Sequence, residues 1–423
     1  MAKNIIETIG CDLGDKQSEL CLLLPSGELE RPAPVKTTEK AFTKFFTRPR
    51  AHVVIEVGTH SRWVSELLRK LGHKVTVANP RRVKLISQSS RKRDKKDAEW
   101  LARLGKADEQ LLAPIHHRGR EAQADLAVTK SRDVLVRTRT KLINHARGLV
   151  KSFGERLPGG TAGSFHRTAK AAIPAALKPA LEPLFCVLEQ LEEQIDAYDA
   201  QIKQLAKKYP DVEVIAQPKG VGILTALVFI LTLEDKSRFT KSRTVGAFIG
   251  FNPKQDQSGD SDKQLGIAKT GDGFMRRLAV QAAHYTLGPF GQDSDLRKWG
   301  LELAKRGGKN AKKRATVAVA RKLVVLMHRL WVTGETYEPV GYRAPLCAND
   351  RETVTPPKNT EQIEQGETGM SDGKHDVLDG WKAGDRGERQ SETTAVHGCV
   401  QAANPARGRG MHGTRSHQRA IAA

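Results

Sequence analysis

The sequence predicts an α/β domain followed by helical units, and three observations carry that prediction. Short apolar runs alternate with helix-period segments through residues 5–110. Leucines then recur at spacings of three and four over residues 120–207. From residue 212 to residue 342 the pattern is mainly helical, and after that the apolar periodicity stops.

Each element follows from local pattern. Residues 5–12 and 18–24 are short and apolar, as buried strands are, and Pro25-Ser26-Gly27 supplies a turn after the second. Residues 37–46 read as a helix and 53–57 as a third strand. Residues 62–71 place Trp63, Leu67, Leu68 and Leu71 on one helical face, and 75–78 form a strand ended by Asn79-Pro80. Strands alternating with helices imply a mixed sheet covered by helices. Further on, Val128, Leu135, Leu142 and Leu149 recur every seven residues, and Leu181, Leu184, Leu188, Leu191, Ile195, Tyr198, Ile202 and Leu205 alternate spacings of three and four. This is a coiled-coil seam, broken by Pro158-Gly159-Gly160 and by the Ala/Pro-rich stretch 171–180. It fits an antiparallel hairpin within one chain or a dimerisation arm, since heptads alone do not fix the partner. Helices are expected again at 224–233, 272–287 and 310–330. The expected units are therefore an α/β domain at 1–110, a helical coiled-coil arm at 111–211, a mainly helical domain at 212–342 and a disordered tail at 343–423. Arg407-Gly408-Arg409-Gly410 in that tail is compatible with weak RNA binding.

Composition narrows the function. Among 423 residues, 70 Lys and Arg face 48 Asp and Glu, a formal net charge of +22. An excess of that size calls for a polyanionic partner, nucleic acid or an anionic membrane. No apolar run approaches the roughly 20 residues that span a bilayer, and the opening MAKNIIETIGCDLG lacks the basic-then-apolar order of a signal peptide. The expectation is a nucleic-acid-handling protein of the cytoplasm with no membrane partner. Five cysteines, none in a C-x-x-C pair, argue against both a disulfide framework and a zinc finger.

Carboxylates mark the first candidate site. Asp12 closes one apolar strand in Ile9-Gly10-Cys11-Asp12, and Glu56 closes another in Val53-Val54-Ile55-Glu56. A charged group is awkward inside a strand, but at its end it can face a cleft. Asp94 and Asp97, three apart, share a face if their segment is helical. Singly, such residues are usually caps, turns or solvated charges. Together they can hold a hard divalent cation, Mg²⁺ with Mn²⁺ as a substitute, in an open oxygen-ligand site for phosphoryl transfer.

The second candidate is Ser258, in the polar stretch Gln255-Asp256-Gln257-Ser258-Gly259-Asp260-Ser261. A loop serine is ordinarily just solvated, and no base can be assigned to it from sequence. Nearby lie groups that could hold nucleic-acid phosphates. Lys269 precedes Asp272, a candidate N-cap of a helix carrying Arg276 and Arg277. Lys219-Gly220-Val221-Gly222 is a glycine-rich turn whose N–H groups could approach a phosphate. Residues 305–314 hold six cations and no acid, including Lys309, Lys312, Lys313 and Arg314.

These motifs resemble the insertion-sequence 110 family of transposases, in family order over about residues 5–340. Asp12, Glu56, Asp94 and Asp97-Ala98 are similar to its D-E-D-D signature, although Arg93 stands where the family has a small polar residue. Gln257-Ser258-Gly259, Gly266-Ile267-Ala268-Lys269, Gly271-Asp272 and Arg276-Arg277-Leu278 resemble its C-terminal transposase domain. The glycine-rich turn resembles a helix-hairpin-helix, with Lys219 in place of the usual proline.

The resemblance implies an RNase H-like (RuvC-like) fold for residues 1–110, with a metal on the four carboxylates. It implies Ser258 as a nucleophile that links covalently to DNA, with Ser261 its competitor in the same stretch. It also implies donor and target DNA, a structured guide RNA from the element, and a homo-oligomer, dimer or tetramer. Two alternatives stay open: a RuvC-like junction nuclease using metal-activated water, and a non-catalytic nucleic-acid-binding remnant.

Overall fold

The computed structural model describes residues 7–80, 94–259, 261–308 and 310–341. The tail expected to be disordered, residues 343–423, lies outside the described residues, as do Arg93 and Lys309.

The N-terminal part is a mixed sheet with helices on both faces. Its strands are β1 (Thr8–Asp12), β2 (Gln17–Leu23), β3 (Leu29–Glu30), β4 (Val35–Lys36), β5 (His52–Glu56) and β6 (Lys74–Ala78). They lie in the order β3-β2-β1-β5-β6, with β4 also paired to β2. β2 runs antiparallel to β1 and β3, whereas β1, β5 and β6 are mutually parallel neighbours. Parallel neighbours require crossovers, which α1 (Glu39–Phe46) and α2 (Ser61–Lys70) supply.

Side-chain alternation sorts the two faces. Ile9, Cys11, Val53, Ile55 and Val77 point to one side, where they bury against Phe42, Phe46, Val64 and Leu68 of α1 and α2. Gly10, Asp12, Val54 and Glu56 therefore point to the other. There Val54 and Ala78 pack with Leu101 and Leu104 of α3 (Asp94–Ala107) and with Leu112.

Two long helices follow, α4 (Arg120–Ser152) and α6 (Lys178–Ala206), with α5 (Phe165–Lys170) in the connection between them. They form an antiparallel hairpin within the chain. Arg132 grips Asp199 through two hydrogen bonds of 2.5 and 2.8 Å, and Arg139 pairs with Glu192. A step of seven along α4 is thus matched by a step of seven back along α6. The buried line on α4 runs through Asp125, Thr129, Ile143, Ala146 and Val150, while Val128, Leu135, Leu142 and Leu149 are only half-buried. The heptad seen in sequence is therefore a flank of the seam. The physical reason is that Arg132 and Arg139 occupy seam positions, which charge-blind periodicity does not mark.

The remainder is α7 (Asp211–Ile215), α8 (Ile223–Leu233), α9 (Arg243–Phe248), the hairpin β7 (Pro253–Ser258) and β8 (Ser261–Ile267), α10 (Gly273–Leu287), α11 (Asp295–Lys305) and α12 (Ala311–Thr333). Residues Thr225 to Leu233 of α8 are all buried. A helix apolar all round must be enclosed, and α8 is, by α7, α10, α12 and the near ends of α4 and α6. The base of the arm is fastened here: Arg118 donates to the carbonyl of Thr232 at 3.2 and 3.3 Å, and the Gly119 N–H donates to Glu234 at 2.6 Å.

Candidate carboxylate site and serine hairpin

The carboxylates meet because α3 lies directly on β1. A Cβ placed on Gly10 would sit 1.9 Å from the carbonyl oxygen of Ala98 and 2.5 Å from the nitrogen of Ala102. Only glycine admits that approach. A second glycine, Gly105, takes the methyls of Val54 in the same way, its Cβ position lying 2.4 Å from Cγ2. The helix is thereby held with Asp97 turned in, 5% exposed, and Asp94 one turn earlier at its open rim.

Asp12, two residues beyond Gly10 on the same face, completes a trio. Carboxylate oxygens of Asp12, Asp94 and Asp97 all lie within 4.8 Å of one another. Glu56 is outside that close group. It ends β5 one step past the Cys11–Ile55 pair, so it stands beside Asp12 on the same sheet face. The close group, all carboxylate oxygen with one acid on a strand end and two on one helix face, could hold a hard cation. Behind Asp12, burial pushes the Cys11 thiol well above its usual range, and the Asp12 charge adds to this. The Cys11 side chain lies in the apolar core on the opposite face of the sheet, turned away from the carboxylates.

Ser258 lies on a strand, not on an open loop. It ends β7 and pairs with Ser261 across the tip of the β7–β8 hairpin, beside Gly259 at φ +53°. This hairpin is a sheet of its own, separate from the sheet that carries Asp12 and Glu56. Its base is built tightly. Gly250 and Gly271 are placed where a Cβ would come within 2.7 Å of the Thr270 nitrogen and 2.1 Å of the Phe248 carbonyl oxygen. Arg276 Nη1 donates across that base to the carbonyls of Ile249, at 2.8 Å, and Gly271, at 3.2 Å. Arg276 thus braces the hairpin, a task sequence did not disclose. Asp272 caps α10, accepting from the N–H groups of Phe274 and Met275 at 2.9 Å.

The other cations expected to meet phosphate are distributed around this region. Lys269 is exposed at φ +56°. Arg277 is exposed and pairs with Asp133 of α4. Lys219 is exposed in the turn before α8, where Gly220 has φ +102° and Gly222 is the N-cap. Lys312, Lys313 and Arg314 are exposed in the first turn of α12. Cations there oppose the helix dipole, so three of them together favour an outside anion.

Residues 9–154 match a transposase family model, that of the DEDD domain of IS110 elements, and residues 212–294 match a second, described as transposase, IS116/IS110/IS902 family. The chain is 30% identical over 245 residues to the transposase for insertion sequence element IS1328 of Yersinia enterocolitica, covering 56% of this chain and 71% of that one. It belongs to the IS110 family of transposases. The IS1111A transposase of Coxiella burnetii is 28% identical over 339 residues, 78% of this chain and 91% of that relative. A pilin gene-inverting protein of Moraxella bovis is 24% identical over 287 residues, 66% and 79% of the two chains. As an IS110-family transposase, the protein cuts and rejoins DNA. Among its described residues no helix is long and apolar enough to cross a membrane.

Proposed function

We propose that this transposase works through two centres, a Mg²⁺ site on Asp12, Glu56, Asp94 and Asp97, and a serine nucleophile at Ser258. The observation that carries the reading is the approach of the Asp12, Asp94 and Asp97 carboxylates to within 4.8 Å on one face of the sheet. The strand order β3-β2-β1-β5-β6, antiparallel then parallel, supports an RNase H-like fold for residues 1–110. In this reading residues 111–211 are the arm and 212–342 the serine domain. Mg²⁺, or Mn²⁺ in its place, would neutralise charge on the phosphate and orient it.

Ser258 Oγ attacks a phosphodiester phosphorus. The Oγ–P bond forms, one P–O bond of the DNA strand breaks, and the serine proton ends on the leaving DNA oxygen. The phosphoserine link conserves the bond for rejoining to a second DNA end. The carboxylates and the serine sit on different sheets, and in this reading protomers assemble so that one chain's carboxylates meet another's serine. A net charge of +22 supports carriage of a structured guide RNA together with donor and target DNA in the cytoplasm.

The test is a denaturing gel with protein, RNA transcribed from the flanking element, labelled junction DNA and Mg²⁺. Wild type is expected to give a covalent protein–DNA band, absent in Ser258→Ala and in Asp12→Ala. Cleavage without an adduct that persists in Ser258→Ala would place the protein with metal-water nucleases instead.

A further inference from the structure

The turn after α10 holds an aromatic group in an unusual state. Phe290 is 81% exposed, the most exposed of the large hydrophobic side chains among the described residues. A single exposed apolar residue is commonplace, but the backbone that presents this one is tightly held. Its turn, Gly288-Pro289-Phe290-Gly291, is closed by the Gly291 N–H donating to the Gly288 carbonyl at 3.2 Å. Arg297 Nη1 reaches under it to the carbonyls of Thr286, at 2.6 Å, and Gly288. A Cβ on Gly291 would lie 2.1 Å from the Thr286 oxygen, so the turn has no slack.

Tyr285, on the last turn of α10, is a second exposed ring at 43%. Its edge lies 3.1 Å from the Cβ position of Gly220, and the Thr286 hydroxyl donates to the Lys219 carbonyl at 3.5 Å. Lys219, Thr286 and Gln292 line one small cavity, so the chain just after the Phe290 turn lies near Lys219. The acids of this neighbourhood are engaged: Asp293 pairs with Lys298 at 3.2 Å, and Asp295 accepts from the Gly341 N–H at 2.9 Å.

We infer that Phe290 and Tyr285 form a stacking platform for an unpaired base of single-stranded nucleic acid, with Lys219 beside them taking the adjoining phosphate. The inference rests on the chain being a nucleic-acid protein, not on the metal or serine chemistry. Exposed rings on a braced turn and on the end of a helix, with a lysine-bearing turn against that helix, are what a flat, hydrophobic base attached to an anion requires. The strongly basic chain, at a net charge of +22, favours a polyanion over a protein as the occupant.

Fluorescence anisotropy with the full chain tests this, using labelled (dT)₁₂, U₁₂ and a mixed-sequence duplex of the same length. Phe290→Ala is expected to weaken single-strand binding about tenfold, with Phe290→Trp near wild type and duplex binding unchanged within about twofold. Lys219→Gln is expected to lower the salt slope by about 0.7, while Phe290→Ala leaves it alone. Greater loss on U₁₂ than on (dT)₁₂ assigns the platform to RNA, and the reverse to DNA. Equal loss on the duplex, or no loss on either single strand, overturns the proposal. So does a change in oligomeric state on sedimentation of Phe290→Ala with single-strand binding intact, which would make this face a protein contact. Phe290 is exposed, so a matching melting temperature is expected in every variant.

Discussion

At the scale of single residues, Gly10 decides whether the carboxylates meet. It has nothing to do with charge, yet the backbone of α3 rests where its side chain would be. The obstructing atoms are backbone atoms of Ala98 and Ala102, which cannot rotate away as a side chain could. Gly10→Ala is expected to push α3 off the sheet, destabilise the protein by about 1–3 kcal/mol, and abolish DNA cutting though all four acids remain. Gly105→Ala clashes with a side-chain methyl of Val54 and with no backbone atom, and should cost less. Melting temperatures and the strand-cutting assay on both variants check the order, and equal losses would deny Gly10 its special place. Asp12 and Glu56 were legible in sequence because a lone acid after an apolar strand is conspicuous. Gly10 was not, because what it accommodates is a helix ninety residues further along. Arg276 was legible as a cation but not as a brace, because its carbonyl partners carry no sequence signal.

At the scale of elements, the arm shows how polar pairing hides a seam. Its outer half closes over Ile143, Val150, Phe165, Leu181 and Phe185, an ordinary apolar core. Its middle replaces apolar contacts with Arg132–Asp199 and Arg139–Glu192. Half-buried ion pairs of this kind contribute little net stability but are costly to break singly. Asp199→Leu alone is therefore expected to lower stability by roughly 1–3 kcal/mol, whereas Arg132→Leu with Asp199→Leu should recover most of that. Thermal melts of the two singles and the double check it, and a double variant as weak as the worse single would count against seam placement. The β7–β8 hairpin was missed for a related reason. Gln255, Gln257 and Ser258 are exposed strand residues with no apolar alternation, so period-two patterning had nothing to mark. What stabilises the hairpin lies at its glycine-and-arginine base, outside the strands themselves.

At the scale of the whole molecule, three histidines in different parts of the chain tie its stability to pH. His52 sits in the N-terminal sheet, 4% exposed, against Thr76 at 2.9 Å. His117 lies in the connection to the arm, and His328 is buried in α12 between Ser242, at 2.9 Å, and the Lys236 carbonyl, at 3.2 Å. Burial lowers the pKa of all three, His52 to about 4, with Lys74 adding to the effect there and Arg69 and Arg62 adding at His117. The folded protein therefore holds neutral rings that the unfolded chain would protonate below its ordinary histidine value of about 6.5. By linkage, their stabilisation is complete above that value and is lost as pH falls towards about 4 at His52. Melting temperature is accordingly expected to be flat from pH 8 to 7 and to fall steadily below about 6.5. His52→Gln keeps a hydrogen-bonding side chain against Thr76 but cannot charge, so it should fall less steeply over that window. An unchanged slope in His52→Gln would mean that the acid sensitivity resides in the other two rings. Because His117 lies at the entry to the arm and His328 within α12, loss of arm protection in hydrogen exchange before loss of the sheet would then be expected at pH 5.5.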